Sequence, residues 1–117
     1  YCAITEQNIA SWMAAFCTGA PGNVYINNRM SARASFDRYF ADAMRHEVGH
    51  YLIFRRCGTT EPASIGSQAN AESTASSYAV LYLGANANTL NRATDARYHM
   101  DELSDQAAAR IHAGQCE

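Results

Sequence analysis

At 117 residues, 48% hydrophobic and 17% charged, the chain has the size of one domain and enough apolar content to bury a core. Nine basic residues, all arginine, stand against eleven acidic ones; the net charge of −2 excludes a nucleic-acid or anionic-membrane partner held by bulk charge. No apolar run approaches the roughly 18 residues that a membrane span needs. The four cysteines, Cys2, Cys17, Cys57 and Cys116, permit three pairings. The expected bridges are Cys2–Cys17, closing a short loop, and Cys57–Cys116, tying down the C-terminus. An even cysteine count in a short chain predicts an oxidising compartment, and the start at Tyr1, without Met or an apolar leader, fits a secreted protein whose signal has been removed or an excised fragment.

Taken in chain order, Thr5 is placed to cap a helix whose residues Ile9, Trp12, Met13 and Phe16 share one face, ended by Gly19, Pro21 and Gly22. Residues 23–27, Asn-Val-Tyr-Ile-Asn, read as a short strand. A second helix is expected to start near Ser31 or Ser35 and to run through Phe36, Tyr39, Phe40, Ala43, Glu47, His50 and Phe54 to Gly58, with Arg55 and Arg56 at its negative end. A polar loop over 59–68 precedes a third helix over 69–83, ended by Gly84. A loop rich in Ala and Asn leads to a last helix over 101–112. The fold class expected is mainly α (α+β): one domain in which a short strand or small sheet packs on the helix that carries the site.

That site is His46-Glu47-Val48-Gly49-His50. Two histidines four residues apart lie on one helix face and can share a metal, and the glutamate between them is placed to take a proton from water. Imidazoles suit zinc, which then takes a third protein ligand and keeps a position open. The third histidine of the metzincin pattern is excluded, because that pattern has Gly and His at positions that here hold Ile53 and Arg56. Glu72, 22 residues after His50 near the start of the third helix, is the leading third ligand; Glu61 and His99 are its rivals. The face of Glu72 continues as Ala75, Ser76 and Ala79, small enough for this helix to approach the first closely. The cluster Arg97, Tyr98 and His99 supplies candidates for donors to a developing oxyanion, with Tyr98 and His99 foremost. Carboxylates that would orient the histidines are Asp95, Asp101, Glu102 and Asp105. Strand residues 24–27, rimmed by Asn27, Asn28 and Arg29, suit edge pairing with an extended peptide. Tyr51, Leu52, Phe54 and Trp12 read as core, and His112 as a solvated residue without a role.

HExxH followed by a glutamate on a later helix resembles the gluzincin metallopeptidases, and most of all the ImmA/IrrE-like group. The strand at 24–27, the run His46-Glu47-Val48-Gly49-His50-Tyr51-Leu52, and Glu72, Ala75, Tyr78, Ala79 and Leu83 are similar to that group's pattern over about residues 22–84. The resemblance implies a minimal zincin-like domain with one Zn2+ held by His46, His50 and Glu72, and Glu47 as the catalytic base of a peptidase. The group's familiar members are intracellular and cut repressors, whereas the cysteines here point outside the cell, so the substrate does not carry over. Gly58-Thr59-Thr60-Glu61 and Asn70-Ala71-Glu72 are more faintly similar to deuterolysin-type peptidases, whose third ligand is an aspartate. The expected partner is a peptide or protein substrate acted on by a monomer, with no nucleic acid and no membrane. The competing expectations are a non-catalytic, zinc-stapled binding module and an intracellular repressor-cleaving peptidase.

Overall fold

The computed structural model describes residues 14–16, 24–26, 38–91 and 96–117, with side chains from residue 41 onward. Two three-residue strands, β1 (Ala14–Phe16) and β2 (Val24–Ile26), pair antiparallel with Ala15 opposite Tyr25. From residue 38 on, every regular element described is helical: α1 (Arg38–Cys57), α2 (Ala71–Tyr82), a single turn α3 (Ala87–Leu90) and α4 (Glu102–His112), with 3-10 turns at Ala63–Ile65 and Ala96–Tyr98. The expected α+β class is therefore corrected to a helical domain. The two-strand pair lies beside α1, but every core residue described lies on a helix, a 3-10 turn or a connection between them. The helix expected through Phe16 is also corrected at its end, where Ala14–Phe16 is strand. Its earlier residues, the Cys2–Cys17 pairing, the start at Ser31 or Ser35, and Asn27, Asn28, Arg29 and Asp95 lie outside the described residues.

Local chemistry accounts for the helix ends. Asn70 caps α2 by accepting the Ser73 N–H at 2.8 Å while the Ser73 hydroxyl faces the Asn70 N–H at 3.3 Å, a reciprocal pair that satisfies two otherwise orphaned donors. Asp101 and Ser104 repeat the arrangement at α4. Helix α4 also carries Glu102 and Asp105 in its first turn and Arg110 and His112 in its last, each favourable to the macrodipole. Helix α1 stops at Gly58, whose φ of +73° suits the left-handed residue after a helix, and whose N–H reaches Phe54 O at 2.7 Å. Asn86 caps the α3 turn inside the segment expected to be plain loop.

Helix α2 lies between α1 and α4. Residues 73–79 are all buried, yet they are Ser, Thr, Ala and one Tyr. Small side chains there let three helices converge, and the hydroxyls need partners; Ser77 and Ser104 supply each other at 2.7 Å. The main core joins Ile53 of α1, Ile65 of the 3-10 turn, Ala75 and Tyr78 of α2, and Ala107, Ala108 and Ile111 of α4. His112 is exposed, as expected, and also makes contacts. Its Nδ1 lies 2.8 Å from the Tyr78 hydroxyl and its ring stacks on Tyr82 with centroids 3.8 Å apart. No helix among the described residues is long and apolar enough to cross a membrane.

The C-terminal segment is fastened three ways. Arg110 donates to Ser64 O at 2.7 Å, the Ser64 N–H donates to Cys116 O at 3.2 Å, and Cys57 is bonded to Cys116 across 59 residues of chain. This bridge joins the end of the site helix α1 to the segment after α4. The double variant Cys57→Ser, Cys116→Ser should lose roughly 2–4 kcal/mol of stability in urea unfolding, since a loop of this length constrains the unfolded chain most. An unchanged midpoint would contradict that role.

Candidate metal centre

Helix α1 presents His46 and His50 on its inward face, 3% and 7% exposed, with ring centroids 4.7 Å apart. Opposite them α2 passes unusually close. A Cβ added to Gly49 would sit 2.7 Å from the carbonyl oxygen of Ala75, inside van der Waals contact with backbone that cannot step aside. Glycine at 49 is thus a spatial requirement, and it brings the first turn of α2 over the histidine pair.

Glu72 occupies that turn. Its Oε1 lies 2.9 Å from His50 Nε2 and its Oε2 lies 3.4 Å from His46 Nε2, so one carboxylate spans both rings. Glu47, the residue between the ligands in sequence, places Oε1 3.9 Å from His46 Nε2, and its side chain is 12% exposed. His46, Glu47 and His50 form a group whose ligating atoms all fall within 4.8 Å, and this group could hold a metal ion. Glu72, from α2, approaches two of the same atoms. Tetrahedral bonds of about 2.0–2.2 Å place donor atoms roughly 3.3–3.6 Å apart, close to the spacing of Glu72 from the two ring nitrogens. A further sign of fit is that His46 Nε2 is buried, faces the cluster and makes no hydrogen bond.

The protonation pattern follows from burial and from Glu72. Burial lowers the pKa of His46, outweighing the pull of Glu72, and the neighbouring His50 lowers it further. Burial opposes charge on His50 as well, but there the closer Glu72 carboxylate wins and the pKa is raised. Burial would raise Glu72, yet its contacts with the two histidines hold it well below the usual carboxylate range. Tyr98 stands against this cluster, its ring 5.1 Å from that of His46. Burial, then the charge of Glu72, push its phenol well above the ordinary value, so it stays a donor.

Among the rival third ligands, Glu61 is exposed in the loop with its N–H on Thr59 Oγ1, and its charge is felt at His50. His99 is exposed just beyond the 3-10 turn that ends in Tyr98. Glu72 lies within 3.4 Å of both histidines. The carboxylates expected to orient the rings are elsewhere: Asp101 caps α4, Glu102 pairs with Gln106, and Asp105 is exposed in the first turn of α4. Two polar residues at the site helix escaped the sequence reading. Ser76, read only as small, places Oγ 2.9 Å from His46 Nδ1, at a spacing of one turn after Glu72 that would have flagged it. Asp42, one turn before His46, is buried and takes the Arg45 guanidinium at 2.7 Å.

No protein-family model, curated protein or solved structure matches this chain, so the geometry itself carries the functional argument.

The shifts decide how a metal would compete with protons. Burial favours the neutral form of His46 and Glu72 is held ionised, so the proton to be displaced is chiefly the one that Glu72 favours on His50. Zinc affinity should therefore climb from pH 6 to pH 8, and uptake at pH 6 should release about one proton per chain, read by calorimetry in buffers of different ionisation enthalpy. Affinity that ignores pH across that window would contradict the assignment.

Proposed function

We propose that this protein hydrolyses peptide (amide) bonds with one zinc ion held by His46, His50 and Glu72 and with Glu47 as the general base. The observation that carries the reading is the reach of Glu72, from a second helix, to the Nε2 atoms of both HExxH histidines. Two imidazoles and a carboxylate are a ligand set that suits zinc and leaves a coordination position open. When bound, zinc supplies a Lewis acid that lowers the pKa of water toward roughly 7 and polarises a carbonyl.

The chain's own groups do the rest. The Glu47 carboxylate lies beside the histidines and retains some contact with solvent, where it takes a proton from the attacking water and returns it to the leaving amine. The Tyr98 hydroxyl, kept protonated, donates to the oxygen that gains charge as the carbonyl is attacked. His99, exposed beside it, is the second candidate for that donation. Glu72 stays ionised throughout, balancing the imidazoles.

A partly exposed glutamate between the ligands favours this reading over a structural staple, which has no use for a base there. The resemblance to gluzincin peptidases of the ImmA/IrrE-like kind supports the same chemistry. The Cys57–Cys116 bridge supports an extracellular site of action, against intracellular repressor cleavage.

Glu47→Gln should keep its zinc and lose hydrolysis of a mixed peptide library by at least about 100-fold, the scale of a lost general base. Activity near wild type in that variant would remove Glu47 from the chemistry. Wild-type protein that holds zinc yet cleaves nothing in the library would favour the zinc-stapled module.

A further inference from the structure

We propose that Ser76 is a positioning residue for the metal centre: its hydroxyl accepts the Nδ1 proton of His46 and so leaves the Nε2 lone pair facing Glu72. The inference rests on the metal reading above and adds a residue to it. Ser76 Oγ and His46 Nδ1 are 2.9 Å apart, both residues are buried, and 30 positions of chain separate them, so tertiary packing and not local sequence makes the contact.

The choice of tautomer follows from counting donors. A neutral imidazole carries one N–H and one lone pair. If the hydrogen were on Nε2, its acceptor would be Glu72 Oε2 at 3.4 Å, longer than the 2.9 Å from Nδ1 to Ser76 Oγ, and the ring would offer a metal no lone pair on that side. With the hydrogen on Nδ1, the Ser76 oxygen satisfies it and Nε2 is left as a ligand aimed into the cluster. Imidazole ligands generally have their other nitrogen fixed in this way.

The fold makes the arrangement economical. Ser76 follows Glu72 by one turn of α2, so one helix supplies both the third ligand and the group that orients the first. The close approach at Gly49 holds both against α1. A hydroxyl also orients the ring without adding charge, where Glu47 and Glu72 already bring two carboxylates to the site. His50 differs, since its buried Nδ1 has no hydrogen-bond partner and its Nε2 is set by Glu72 instead.

The test uses the whole chain, stripped of metal, with zinc affinity read by competition against a chromophoric chelator and the His46 tautomer read by long-range nitrogen–proton NMR. Ser76→Ala should weaken zinc binding by about 10–100-fold. Ser77→Ala, on the same helix as Ser76, loses a buried hydroxyl bond to Ser104 of α4 and should stay within about twofold of wild type, and wild-type His46 should carry its proton on Nδ1. Equal losses in the two variants, unchanged affinity in Ser76→Ala, or a wild-type proton on Nε2 would each overturn the proposal; the NMR result stands even if Ser76→Ala does not fold. Wild-type protein that takes up no zinc would instead overturn the metal reading on which it rests.

Discussion

Helices α1 and α2 meet at Gly49 and Ala75 with no space between them for even one methyl carbon, and this contact sets the position of every group at the site. Had the crossing been held apart by ordinary side chains, Glu72 would stand several ångströms from the histidines. Close packing of this kind needs small residues on both sides, which is why the buried length of α2 is built from Ala, Ser and Thr. The cost of such a choice is a thin hydrophobic core. Tyr78, Ile53 and Ile111 are the large apolar or aromatic side chains fully buried among the described residues. The fastening of the C-terminal segment by Arg110, Ser64 and the Cys57–Cys116 bridge adds restraint where apolar burial is modest.

The site concentrates polar groups where the fold can least tolerate them unpaired. Two buried imidazoles and a half-buried carboxylate would each be costly alone. Together they share one charge pattern, in which Glu72 is ionised, His50 is the favoured proton carrier and His46 is neutral. A divalent ion would replace that proton and satisfy both ring nitrogens at once. The pairing seen in the protein and the ligation proposed for it thus use the same atoms, with Ser76 and Tyr98 around the cluster.

Much of this was legible in the residues. The spacing of His46 and His50 placed them on one helix face, Gly58 and Gly84 marked helix ends, and the small residues after Glu72 pointed to a close helix pair. The Cys57–Cys116 bridge followed from position alone. Other features were hidden for physical reasons. Apolar spacing suggested helix up to Phe16, but strand pairing with 24–26 prevails at Ala14–Phe16, as tertiary context often overrides periodicity. The strand read from the β-forming residues at 23–27 is present at Val24–Ile26, but the described core is built by α1, α2, α4 and the 3-10 turn at Ala63–Ile65, so the domain is helical. Ser76 went unread as a polar contact because it stands in a run of small residues, although its place one turn after Glu72 puts it on the same helix face. His112 is exposed, as read, yet its ring also stacks on Tyr82 and its Nδ1 meets the Tyr78 hydroxyl, contacts that the sequence does not signal.

The central claim is that Glu72 completes a metal site with the two histidines of α1. The most direct measurement is zinc per chain by plasma mass spectrometry, on wild type and on Glu72→Ala, after reconstitution and exhaustive buffer exchange. The account predicts about one zinc in the wild type and far less in the variant, in keeping with three protein ligands per catalytic-type site. Equal zinc in both would move the third ligand away from Glu72, and no zinc in either would reduce His46 and His50 to a buried pair neutralised by a carboxylate.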